Sequence, residues 1–178
     1  MAQAKRKQKF FDVNIPSVGK ETQLYAYELK DLEGRHVKYD LTRMLRGKSM
    51  IANLKIKVEG DNATAHPREL KVMPYFIRRM MRKGTNYVED SFSAECKNAT
   101  VRIKPFLITR KKVSRAVRKA LREKAREELK SYVKDKTKET LFDEILKNKI
   151  QKELSLKLKK IYPLSLCEIR VFKIEKDK

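Results

Sequence analysis

The sequence predicts an α+β fold: an antiparallel, barrel-like β-sheet with a short inserted helix, followed by a β-α-α-β segment whose first helix is basic. Three observations carry this. Apolar residues up to about 110 recur with a period of two between turn residues, the period becomes 3.6 from Val113, and alternation returns in Leu164 to Ile174 (LSLCEIRVFKI). The expected organisation is a flexible basic arm over 1–9, a mainly β part over 10–110, and a helix-rich part over 111–178 closed by a strand. No Gly/Ser linker divides the two folded parts, so they are expected to share a core.

In order, Leu24 to Leu29 and Val37 to Leu41 flank Asp31-Leu32-Glu33-Gly34, which reads as a hairpin with Gly34 supplying a positive φ. Lys48 to Val58 and Ala63 to Val72 are strands on either side of the turn Glu59-Gly60-Asp61-Asn62. Tyr75 to Arg82 (YFIRRMMR) changes period and reads as a short helix stopped by Gly84. Ser91 to Cys96 and Val101 to Ile108 read as a hairpin across Lys97-Asn98-Ala99, the second strand becoming continuously apolar after Pro105. Val113 to about Val133 is a helix. Thr140 and Asp143 resemble a capping box for the next one, whose drifting apolar stripe predicts a break near Lys147 to Lys149. Pro163 ends the helical region, and the last strand is expected beside residues 101–109.

Charge supplies the strongest functional signal. Between Arg102 and Arg126, eleven of twenty-five residues are Lys or Arg and only Glu123 is acidic. At 100° per residue, Val113, Ala116, Val117, Ala120 and Leu121 fall within roughly 140°, whereas Lys111, Arg115, Arg118, Lys119, Arg122 and Arg126 fall within roughly 100° opposite. A merely solvated charged face would mix signs through i,i+4 pairs, which appear later, around Glu127, Glu128 and Lys130 to Lys138, but are nearly absent between 110 and 122. The whole chain holds 45 Lys plus Arg against 23 Asp plus Glu, a net +22. Such self-repulsion is relieved by a polyanion through charge neutralisation and counterion release. The expected phosphate contacts are Arg110, Lys111, Lys112, Arg115, Arg118, Lys119, Arg122 and Arg126. A second cluster is Arg78, Arg79, Arg82 and Lys83, a third is Arg43, Arg46 and Lys48, and Lys5, Arg6 and Lys7 lie in the arm. Tyr75, Phe76 and Tyr87 are candidates for base stacking or core packing.

Other classes are disfavoured. Apolar residues at 40%, with seven Tyr and seven Phe, can build a core, which a disordered basic tail cannot. No apolar run approaches eighteen residues and no secretory leader opens the chain, so neither membrane nor export is expected and the cytoplasm is the expected location. Cys96 and Cys167 stand apart from each other and from His36 and His66, and are expected as buried thiols rather than metal ligands. Gly47-Lys48-Ser49 resembles the end of a phosphate-binding loop, but Thr42 occupies the position of its first glycine. With no clustered carboxylates or paired His, no catalytic residue, cofactor, metal or small-molecule substrate is expected. A free RNA- or DNA-binding regulator is the alternative, although neither a helix-turn-helix nor heptads are present.

Arg102 to Lys112 (RIKPFLITRKK), the basic helix after it, Ile161-Tyr162-Pro163-Leu164 and Ile169-Arg170-Val171-Phe172-Lys173 resemble the archaeal and eukaryotic small-subunit ribosomal protein family S-one-e, formerly S-three-a-e. The order of Leu24 to Leu32, Arg46-Gly47-Lys48 and Glu69 to Arg82 is similar too, so the resemblance covers nearly the whole chain. Lacking the long basic N-terminal extension and C-terminal tail of eukaryotic members, the chain resembles the shorter archaeal form. The resemblance implies a structural role on the small subunit's platform, near the rRNA 3′ end and the mRNA exit. It also implies rRNA and neighbouring ribosomal proteins as partners, with mRNA close by, and no chemistry.

Overall fold

The computed structural model describes residues 7–177. Among these the chain forms nine β-strands in a mixed sheet and four α-helices, an α+β fold. It divides into two compact units, one of residues up to Tyr39 with Ala52–Arg68, the other of Asp40–Ile51 with Glu69 onward.

In the first unit, β1 (Lys9–Ile15) and β2 (Lys20–Ala26) form an antiparallel hairpin with Phe10 opposite Tyr25 and Ile15 opposite Lys20. Gly19, at φ 65°, closes the turn by donating to the Ile15 carbonyl at 2.9 Å. The sequence predicts no strand here and places Lys9 in the arm, but Lys9 opens β1, whose Val13 and Ile15 are fully buried. The arm's Lys5 and Arg6 lie outside the described residues. β1 also runs parallel to β5 (Asn62–Val72), with Val13 opposite Ala63, a parallel pairing that makes the otherwise antiparallel sheet mixed.

The expected hairpin across Asp31 to Gly34 does not form. β2 pairs with β1, whereas β3 (His36–Asp40) pairs with β4 (Met50–Glu59). A 3-10 turn, Leu29–Leu32, intervenes, and the Asp31 carboxylate accepts the Glu28 N–H at 3.0 Å. Such local side-chain bonds compete with a ladder. Gly34 does adopt φ 71°, but its N–H donates to the Ile56 carbonyl at 3.0 Å.

The second unit is organised around β8 (Ala99–Thr109), which pairs antiparallel with β9 (Leu164–Asp177) along its length, from Ala99 opposite Asp177 to Thr109 opposite Leu164. This is the long-range pairing the alternation predicts. β7 (Phe92–Glu95) pairs with the first half of β8, as expected for that hairpin. The three-residue β6 (Tyr87–Glu89), too short to show a period, pairs with the second half. Pro105 cannot donate to the ladder, and the β8/β9 register shifts between Lys104 and Pro105. From Pro105 to Thr109 every residue is buried, as the apolar run requires. The end of β5 pairs with β9, Leu70 opposite Phe172.

Four helices complete this unit: α1 (Pro74–Met80), α2 (Arg115–Lys134), α3 (Lys138–Leu146) and α4 (Lys149–Leu158). On α2 the buried residues are Leu121, Ala125, Leu129 and Val133, a strict i,i+4 row. The packing face expected from the sequence is therefore displaced toward the C-terminus. Only Leu121 of that set is buried; Val113, Val117 and Ala120 are half-buried and Ala116 is exposed. α3 starts one turn earlier than expected, with Thr137 as N-cap and its hydroxyl accepting the Thr140 N–H at 3.5 Å. The predicted break falls at Asn148, whose φ of 56° separates α3 from α4. Phe142 and Phe172 meet edge to face at 5.0 Å between centroids, a geometry worth about 0.5–1.5 kcal/mol beyond area burial. Cys96 is buried and Cys167 half-buried, its thiol pushed up to about 12 by burial.

Candidate nucleic-acid interface

The second unit holds 34 of the 45 cationic residues and 16 of the 23 acidic ones, so +18 of the net +22 lies there. The basic segment enters α2 through a fixed junction. Thr109 is fully buried at the end of β8. Its backbone N–H donates to the Asn86 carbonyl at 2.9 Å, and its hydroxyl accepts the Asn86 N–H at 3.0 Å. The hydroxyl proton reaches either the Asn86 carbonyl at 3.0 Å or the Lys111 carbonyl at 2.7 Å. The Asn86 amide oxygen in turn accepts the Val113 N–H at 2.8 Å. Ser114 then caps α2, accepting the Val117 N–H at 3.4 Å.

This junction sets the end of one expected cluster near the start of another. Lys83 is three residues before Asn86, and Lys111 and Lys112 immediately precede the Val113 that Asn86 holds, so each lies within roughly 10 Å of chain from one anchor. Arg78, Arg79, Arg82 and Lys83 are exposed, as are Arg110, Lys111, Lys112, Arg115, Lys119 and Arg122. Lys119 has a long contact to Glu123, 3.8 Å, both side chains being mostly exposed. Among the described residues the other exposed cations named here have no ion-pair partner, whereas Arg126, further along α2, is paired with Asp90. The first turn of α2 contains no acidic residue, so cations crowd the positive end of the helix dipole. A free chain is destabilised by this arrangement, and a phosphate at the same place is stabilised by both. Arg118 differs from its neighbours: it is half-buried, and its Nε is buried without a hydrogen-bond partner.

The remaining described contacts stand elsewhere or are already engaged. Arg43 and Arg46 are exposed on the turn between β3 and β4, and Lys7 is exposed ahead of β1. Lys48 is buried, its ammonium 2.5 Å from the Glu168 carboxylate and 2.9 Å from the Asn148 amide oxygen. Arg126 is held by both oxygens of Asp90, at 2.7 and 2.8 Å, with its guanidinium 5.8 Å from the Phe92 ring centre. Of the proposed stacking residues, Tyr75 is exposed, Phe76 half-buried, and Tyr87 stacked on Phe106 at 6.0 Å.

The Arg126 guanidinium, bonded to Asp90, holds that carboxyl below its ordinary value, with the Ser91 N–H and the nearby Arg122 adding to the effect against the opposing influence of burial. A carboxyl lowered in the folded state stabilises fully above its unfolded value and loses that contribution as pH falls through the acid range. Asp90→Asn is therefore expected to lower stability at pH 7 by on the order of 1 kcal/mol after solvent screening. The deficit should disappear well below the ordinary aspartate value of about 3.9. Urea unfolding of both proteins at neutral and acid pH measures it, and a deficit independent of pH would contradict the ion-pair assignment.

The structure also assembles cations that sequence reading did not group. Lys71 of β5, Arg102 and Lys104 of β8 and Arg170 and Lys173 of β9 line one groove with Arg122 and Arg126, a space of about 830 Å³. The signal available was the predicted pairing of residues 101–109 with the last strand, which in register sets Arg102 opposite Lys173. Among the described residues no group of three or more His, Cys, Asp or Glu side chains converges into a metal-binding cluster. No described helix is long and apolar enough to cross a membrane.

The model of the Ribosomal S3Ae family matches residues 2–178. The chain is also 28% identical over 175 residues to a protein of Nanoarchaeum equitans (strain Kin4-M) named small ribosomal subunit protein eS1, covering 93% of this chain and 88% of that relative.

Proposed function

The chain belongs to the Ribosomal S3Ae family, and from that premise we propose that it is a structural constituent of the small ribosomal subunit that binds rRNA on the platform, near the rRNA 3′ end and the mRNA exit. The observation that carries the RNA-binding part is the start of α2. There Arg110, Lys111, Lys112, Arg115 and Arg122 are exposed with no ion-pair partner among the described residues, on a junction fixed by Asn86 and Thr109. Phosphate contacts of this kind fix position and carry little sequence information, which suits a protein that reads the shape of folded RNA. The partners are small-subunit rRNA and neighbouring ribosomal proteins, with mRNA passing nearby. The place is the cytoplasmic ribosome, and the role is non-enzymatic.

Sedimentation of the tagged chain through a sucrose gradient, repeated at high salt and low magnesium to part the subunits, tests this. It should follow the small subunit at one copy each. A chain that stays at the top of the gradient would instead act as a free RNA- or DNA-binding regulator.

A further inference from the structure

The polar face of β5, β9 and β8 sets like charges side by side. Lys173 lies between Arg102 of β8 and Glu69 of β5, while Lys71 and Lys104 flank Val171 from its two neighbouring strands. With strands about 4.8 Å apart, those two lysines stand on backbones roughly 10 Å from each other. Facing like charges destabilise a sheet unless something neutralises them. Part of the neutralisation is internal: Arg102 binds Glu175 at 2.5 Å, Arg170 binds Glu89 at 3.1 Å, and Asp90 holds Arg126. Lys71, Lys104, Lys173 and Arg122 have no ion-pair partner among the described residues. The groove they line carries seven cations against Glu69, Glu89 and Asp90.

We propose that this groove holds an RNA strand by its phosphodiester backbone, with Lys71, Lys104, Lys173 and Arg122 as the contacting cations. The paired Arg102, Arg170 and Arg126 form its fixed walls. This rests on the rRNA-binding reading above and adds a second contact site to it, on the sheet, with Arg122 of α2 common to both. A polyanion fits better than an acidic protein because the lining offers only Val171 and Pro105 as apolar surface. Protein interfaces draw their affinity from buried aromatic or aliphatic anchors, and this groove supplies no pocket for one. A phosphate backbone needs only the row of cations.

The test compares the full chain with Lys71→Gln/Lys104→Gln/Lys173→Gln, which removes charge and keeps length. Binding of small-subunit rRNA is followed by fluorescence anisotropy across a salt series. With single-strand scaling, three lost contacts make the log–log salt slope shallower by about 2 and weaken binding about 100-fold at 0.1 M salt. Protection of Lys71, Lys104 and Lys173 from acetylation by bound RNA, read by mass spectrometry on the unaltered protein, supplies a result that does not depend on how the variant folds. Undiminished affinity in the variant, or lysines that stay equally reactive with RNA bound, overturns the groove while leaving the rRNA reading intact. Failure of the unaltered chain to bind rRNA overturns both. Loss of binding to a neighbouring protein alone assigns the groove to that protein and overturns the proposal.

Discussion

Replacing Arg115, Lys119 and Arg122 together by glutamate is expected to weaken rRNA binding by at least about 100-fold at 0.1 M salt and to make the salt slope shallower by about 2 from a starting value near −7 for ten contacts. The three side chains are exposed, Arg115 and Lys119 ahead of the buried row that starts at Leu121 and Arg122 beside its first residue. Arg118 would be the natural fourth by sequence, but it is half-buried and its reversal would put a carboxylate where the unpartnered Nε now lies. That would confuse a loss of binding with a loss of fold. The local consequences of the chosen reversals are small and opposed. Glu at 119 faces Glu123 one turn on, costing a few tenths of a kcal/mol, whereas Glu at 115 complements the helix dipole by a similar amount. Helical circular dichroism should therefore be unchanged. Unchanged RNA affinity with the fold intact would remove α2 from the interface.

How far the sequence foretold this surface depends on the range of the interactions involved. The cationic face of α2 was legible because helical periodicity is local, and so was the break at Asn148, where the stripe drifts out of phase. Even the pairing of β8 with β9, which joins residues from Thr109 and Leu164 out to Ala99 and Asp177, was readable from matching apolar alternation. What periodicity cannot tell is where along a helix its partner begins. Ala116 and Val117 belong to the apolar arc the sequence predicts, yet Ala116 is exposed, Val117 is half-buried and the buried row starts at Leu121. β1 was missed for the opposite reason. Its alternation is brief and follows a run of lysines that looks like a solvated arm, and the burial of Val13 and Ile15 comes from partners distant in sequence. The groove is the extreme case: Lys71, Lys104 and Lys173 are each unremarkable in their own segments and become a site only through strand register.

Lys48 is the place where a surface reading and the structure demand different experiments, and Lys48→Met decides between them. The ammonium has 9% of its side chain exposed and Glu168 16%, with Asn148 completing the contact across the α3–α4 break. Removing it leaves the carboxylate nearly buried without its counterion, the situation in which breaking a pair costs most, about 3 kcal/mol or more. For a chain of this length the melting temperature Tm should fall by roughly 6–12 °C. Lys48→Met/Glu168→Leu, which deletes both charges and keeps apolar volume, should recover most of that loss, because a buried pair is worth little more than well-packed hydrophobic residues in its place. Neither variant should change the salt slope of RNA binding, since the ammonium is satisfied from within. A phosphate-binding Lys48 predicts the reverse: an unaltered Tm in the single variant and a slope shallower by about 0.7, the share of one contact. The two readings therefore differ in both observables at once, and partial unfolding cannot mimic the second, because unfolding lowers Tm.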